Sequence, residues 1–179
     1  SALQSQSIDF VVQSGRAVMY PVYKGTYERG TGLKSNRPAP TTFYRDHVIA
    51  WSKDLGRAID YLQTRKDIHP EKFGYLGGSW GGGMGAILPA VEPRLKVSVL
   101  FIGGLWMEKT SPEVDQINFA PRVTLPTLML NGRHDFVFPL ESSQLHLFRL
   151  LGTPDKDKRH VIYDTGHAIP EGELIKETL

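Results

Sequence analysis

The feature that most limits what this chain can fold into is the abrupt join near its middle, where the short apolar run Phe73-Gly74-Tyr75-Leu76 leads straight into GGSWGGGMGAILPA. A compact apolar and aromatic run bounded by glycines reads as a buried strand, and the apolar second half of the following stretch reads as a helix beginning near Trp80. Strand, sharp turn and helix are therefore contiguous.

The rest of the chain repeats this alternation. Residues 3–13, with Ile8, Val11 and Val12 before Gly15, read as the tail of a helix stopped by a glycine cap. Residues 17–23 (AVMYPVY) are rich in β-branched and aromatic side chains and predict a strand that Pro21 ends or places at an edge. A loop over residues 24–42 follows, and Val48, Trp51, Leu55, Ile59 and Leu62 then form the stripe of an amphipathic helix over residues 43–64. Further strands are predicted at residues 95–102, 127–130 and 160–163, with a helix at residues 141–151 and an irregular segment at residues 103–126. Strands alternating with helices predict a mostly parallel sheet covered on both faces, because parallel strands need crossovers and these are almost always right-handed.

Composition bounds the answer. The 179 residues are 40% hydrophobic and 22% charged, the profile of one globular domain spanning the whole chain. A formal net charge of +2 without a basic face argues against a nucleic-acid or membrane-surface partner and for a small molecule or another protein chain. No apolar run reaches the roughly 18 residues a bilayer span needs, and the first residues lack the regions of a signal peptide, so the default expectation is a cytoplasmic protein. The chain has no cysteine, which excludes disulfides, thiolate metal sites and a cysteine nucleophile.

Gly77-Gly78-Ser79-Trp80-Gly81 matches G-x-S-x-G, in which a serine occupies a strained strand-to-helix turn and flanking glycines let neighbouring backbone pass closely. The pattern alone is weak. It gains force because it falls where the strand is predicted to end and the helix to begin. The competing reading makes Ser79 a helix cap and the glycines a packing device. A nucleotide-binding reading finds neither G-x-G-x-x-G nor a glycine-rich loop ending in Lys-Ser/Thr.

A serine hydroxyl becomes a nucleophile only when a base takes its proton, and that base needs an acid to hold its tautomer. His167, in YDTGHAIP just beyond the last strand, is the candidate base. Asp135, in LNGRHDFVFP beyond the preceding strand, is the favoured acid; Asp164 competes but shares the loop of His167 and serves as well in a turn. His134 reads as a solvated loop residue. His47, His69, His146 and His160 show no metal-binding spacing, so neither a metal nor a cofactor is expected.

With this motif and the order Ser79, Asp135, His167, the chain resembles the C-terminal part of an α/β-hydrolase, closest to the prolyl-oligopeptidase-like and dienelactone-hydrolase-like branches. The resemblance covers nearly the whole chain. It implies a three-layer α/β/α fold with Ser79 after the fifth strand, Asp135 after the seventh and His167 after the eighth. Dienelactone hydrolases proper use cysteine at the nucleophile, so Ser79 points to esterase or peptidase chemistry. The Trp80 backbone N–H is the expected first oxyanion donor. The second donor in such proteins follows the third strand, upstream of the first helix, and that strand lies between the fourth and fifth. The resemblance therefore implies that N-terminal strands are lacking, leaving either a gap or a rearranged sheet with an uncovered edge that a missing segment or another chain would complete.

Loops after the strands should form the mouth of the site. Tyr23, Lys24 and Tyr27 head the loop at residues 24–42, whose Arg29, Lys34 and Arg37 suit an anionic substrate or are simply solvated. Leu105, Trp106, Met107, Ile117 and Phe119 supply either an apolar wall over the nucleophile or ordinary core, with Trp106 the candidate substrate contact. The expected activity is hydrolysis of a carboxylic ester, or of a peptide-like amide, through an acyl-serine intermediate, of the carboxylesterase or serine-peptidase type. The alternatives are a hydrolase-like binding module with an incomplete oxyanion site, and acyl transfer to an alcohol.

Overall fold

The computed structural model describes residues 8–179. Four strands, β1 (Phe73–Gly78), β2 (Leu95–Phe101), β3 (Thr127–Gly132) and β4 (Lys158–Tyr163), form one parallel sheet in the order β1-β2-β3-β4. Spatial order follows chain order, so each crossover steps the sheet by one strand. Helices α1 (Asp9–Gln13), α2 (Thr42–Thr64), α3 (Trp80–Met84), α4 (Leu88–Val91), α5 (Leu145–Leu150) and α6 (Glu171–Thr178) flank it.

The pleat decides which residues meet which helices, because successive side chains point to opposite faces. On β3, Met129 joins a core with Val48, Trp51, Leu55 and Ile59 of α2, Met84 of α3, Leu88 of α4 and Leu147 of α5. Its neighbours Leu128 and Leu130 face the other way, against Phe10 of α1 and Leu174 and Ile175 of α6. The result is the expected three-layer α/β/α arrangement. Helix α2 starts where the Thr41 side chain accepts the Tyr44 N–H, and its stripe of Val48, Trp51, Leu55 and Ile59 is buried. Trp51, only 1% exposed, also donates its indole N–H to the Lys24 carbonyl at 2.8 Å, tying the start of the 24–42 loop to the helix.

Several expectations need correction. Residues 17–23 are not a strand: they run without regular structure, and Val18, Met19, Tyr20 and Val22 stay exposed. A strand exists only when its N–H and C=O groups find a partner strand, and none lies beside this segment among the described residues. Pro21 removes one donor in any case. The helix predicted at residues 141–151 is a π-helical turn, Leu140–Gln144, that tightens into α5. Of the helix predicted at residues 3–13, α1 is the observed part and residues 3–7 lie outside the described residues; Gly15 stops it with φ +82°. Helix α6 is an element that the sequence pattern does not predict.

The sheet is neither gapped nor rearranged among the described residues, and the uncovered edge is that of β1, which has a strand partner only on its β2 side there. No helix among those residues is long and apolar enough to cross a membrane.

Candidate active site

Between the end of β1 and the start of α3, Ser79 adopts φ 51°, ψ −109°. A non-glycine residue there carries strain that persists only when its surroundings over-determine it. They do. The Ser79 N–H donates to the Phe101 carbonyl at the end of β2, at 3.0 Å, and the Ser79 carbonyl accepts the Gly83 N–H at 2.9 Å. The turn is also pressed against the next strand's loop: a Cβ on Gly82 would lie 2.8 Å from the Cα of Gly103, a contact only glycine permits. Tyr75 pins α3 from the opposite side by donating its hydroxyl to the Gly81 carbonyl at 2.6 Å. Burial pushes that phenol well above its ordinary pKa, so it remains a donor.

This turn presents the Ser79 Oγ at 2.8 Å from the His167 Nε2. The loops after β3 and β4 bring the histidine there, cross-tied by the His134 N–H on the Thr165 carbonyl at 2.9 Å and the Arg133 N–H on the Tyr163 carbonyl at 2.8 Å. His167 Nδ1 donates in turn to Asp135 Oδ2 at 2.8 Å, while Asp135 Oδ1 accepts the N–H groups of Val137 at 2.8 Å and Phe138 at 3.0 Å. The Asp135 side chain is fully buried and that of His167 is 22% exposed. The acid is thus sealed in a fixed orientation, and the imidazole keeps one nitrogen free to accept a proton from Ser79. Asp164 takes no part in this: it pairs at 2.7 Å with His134 in solvent, where the side chains are 87% and 66% exposed.

The other sequence candidates distribute unevenly. Trp106 packs tilted against Phe138 with ring centroids 4.6 Å apart, and Phe138 lies 6.1 Å from the His167 ring, so an aromatic wall runs up to the imidazole. Tyr23 packs edge-on against Trp80 at 5.7 Å; burial, with Asp54 and Tyr20 nearby, pushes its phenol far above the ordinary range. Lys24 is held through its backbone, its N–H on Asp54 and its carbonyl on Trp51, which leaves its ammonium uncommitted by these contacts. Tyr27 is exposed, with φ 47°, beside Tyr20.

Two of the basic loop's cations are paired. Arg29 pairs with Asp54 at 2.9 Å, and Arg37 pairs with Glu108 at 2.6 Å while lying over the Trp106 ring. Within residues 103–119, Leu105 is buried and Phe119 packs on the core, whereas Met107 and Ile117 are exposed. His47 is a buried structural residue of α2, bonded to Thr31 and to the Phe43 carbonyl.

Sequence reasoning missed two polar residues that hold this region. Buried Asn131 donates to the Gly103 carbonyl at 2.8 Å and accepts from His160 at 3.0 Å. Gln116, on the irregular segment, bridges the loop after β2 to α3. Neither belongs to a motif, and their partners are remote in sequence, so no local signal marks them.

Comparisons with known proteins agree with this architecture. A cold-adapted esterase from an Arctic intertidal metagenomic library is 31% identical, with a TM-score of 0.61, over 74% of this chain and 55% of its own. An acetyl xylan esterase from Paenibacillus sp. R4 is 21% identical with a TM-score of 0.61, over 75% of this chain and 51% of its own, and shares the fold. So does a dipeptidyl aminopeptidase IV-like protein from Bacteroides ovatus, 18% identical with a TM-score of 0.68, over 87% of this chain and 24% of its own. The chain spans about half the length of these esterases. No curated protein sequence matches it. The family model described as dienelactone hydrolase family matches residues 11–169, and the chain belongs to that family.

Proposed function

We propose that this protein is a serine hydrolase that cleaves a small carboxylic ester through an acyl-serine intermediate. The single observation that carries the reading is the continuous relay from Ser79 Oγ through His167 to buried Asp135, with 2.8 Å at each step. Ser79 Oγ attacks the ester carbonyl while His167 Nε2 takes its proton, and the imidazolium returns that proton to the departing alcohol. Water then repeats the sequence on the acyl-serine, releasing the acid and restoring Ser79. Asp135 keeps its negative charge throughout and orients the ring. The Trp80 N–H, the first amide after the nucleophile, donates to the oxyanion.

Ester is favoured over amide by family membership and by the 31%-identical cold-adapted esterase. Trp106, half-buried against the fully buried Phe138, offers an aromatic surface to the apolar part of such a substrate. The same reading takes the second oxyanion donor from a segment that pairs with the open edge of β1. Support for this comes from that edge and from residues 17–22, mostly exposed, two runs of backbone without a strand partner among the described residues.

The test is hydrolysis of p-nitrophenyl acetate, with intact mass recorded for an acyl or phosphonate adduct. Activity and labelling lost in Ser79→Ala and His167→Ala support the reading. Hydrolysis that survives Ser79→Ala refutes it. A folded protein with neither turnover nor labelling favours a hydrolase-like binding module.

A further inference from the structure

Helix α3 is a poor helix by composition: its five residues, WGGGM, include three glycines, each costing roughly 1 kcal/mol relative to alanine. Its first turn nevertheless carries the Trp80 N–H, whose position must hold to a fraction of an ångström if it is to meet a developing oxyanion. Something outside the helix has to fix it.

Gln116 is placed to do this. It is 6% exposed, and its Nε2 donates to the Gly83 carbonyl of α3 at 2.6 Å and to the Gly104 carbonyl at 3.1 Å. Its Oε1 accepts the Trp106 N–H at 2.6 Å. One side-chain amide thereby joins the glycine helix to the loop that carries the aromatic wall. The geometry on the helix side is direct, because the Gly83 whose carbonyl Gln116 holds is the residue whose N–H caps the Ser79 carbonyl. The fit is close too: a Cβ on Gly83 would come within 2.8 Å of the Trp106 indole nitrogen.

We infer that Gln116 is a positioning residue: its buried amide clasps α3 to the Gly104–Trp106 backbone and so holds the oxyanion donor and the substrate wall in register with Ser79. The inference rests on the hydrolase reading for its kinetic consequence and on geometry alone for its structural one. Losing the clasp loosens a transition-state contact more than a ground-state one, and the cost falls on kcat.

The experiment uses Gln116→Met, an apolar near-isostere, and Gln116→Asn, which keeps an amide but is one methylene too short to span both sides. Expected is a fall in kcat of roughly 10- to 100-fold with KM within about twofold, and a parallel loss of affinity for a boronic acid that mimics the tetrahedral intermediate. Amide exchange at Gly83 and Gly85 should accelerate about tenfold or more in both variants, with global stability accounting for none of it. An unchanged kcat, a change in KM alone, or exchange at Gly83 and Gly85 equal to wild type overturns the clasp. If p-nitrophenyl acetate hydrolysis by wild type is absent or survives Ser79→Ala, the hydrolase reading has failed, and the exchange measurement by itself decides the clasp.

Discussion

Asp135→Asn is the sharpest perturbation of the proposed site because it changes a tautomer and almost nothing else. The asparagine carbonyl can occupy the place of Oδ1 and accept the N–H groups of Val137 and Phe138, which now lie at 2.8 and 3.0 Å. That choice places an NH₂ where Oδ2 now accepts from His167 Nδ1. Facing a donor, Nδ1 must become the acceptor, so the neutral ring carries its proton on Nε2, the nitrogen 2.8 Å from Ser79 Oγ. A protonated Nε2 cannot take the serine proton. The comparable change in a serine protease lowers turnover by about 10⁴, equivalent to about 5 kcal/mol of transition-state stabilisation. The assay is p-nitrophenyl acetate hydrolysis at pH 7 to 8, with the His167 ring nitrogens read by ¹⁵N NMR and folding checked by thermal melt. Expected is a fall of about three to four orders of magnitude with Nε2 protonated, while Asp164→Asn, altering an exposed pair with His134, stays within about twofold. A folded Asp135→Asn protein that keeps more than a tenth of its activity, or a larger loss in Asp164→Asn, refutes the assignment of the acid.

Other consequences follow from the packing around the turn. Gly82→Ala would press a methyl against the Gly103 Cα and the Phe101 carbonyl at 2.8 and 3.0 Å, both backbone, so it should destabilise by about 1–3 kcal/mol and lower turnover together, read as Tm and kcat; an unchanged Tm contradicts the contact. His160 is half-buried, its buried Nδ1 has no hydrogen-bond partner among the described residues, and desolvation lowers its pKa from 6.5 to about 4. Between those values the unfolded chain binds a proton that the folded chain does not. Stability is therefore full above about pH 6.5, falls as pH drops towards 4 by at most about 3 kcal/mol, and levels below that. Urea melts across this window should show the decline in wild type and a smaller one in His160→Gln; equal slopes would show that other groups carry it.

Much of the fold was legible because it is written in local periodicity. The α2 stripe and the apolar runs of β1 to β4 each report burial within a few residues; Gly15 marks a backbone conformation that other residues rarely adopt, and Gly77, Gly78, Gly82 and Gly83 around Ser79 mark contacts too close for a side chain. Residues 17–23 misled for the same reason. β-branched and aromatic content describes a segment suited to a strand, but pairing is a property of two segments, and this one has no partner among the described residues.

The sequence by itself determined the layered α/β class, the strand-to-turn-to-helix context of Ser79, and the short set of groups able to serve as base and acid. Only the tertiary structure decided that Asp135, and not Asp164, meets His167; that Arg29 and Arg37 are spent on Asp54 and Glu108; and that Gln116 joins α3 to the aromatic wall. The physical reason is common to all three. A hydrogen bond or ion pair needs an approach of about 3 Å, and which groups so separated along the chain achieve it depends on how the layers stack, which no local pattern records.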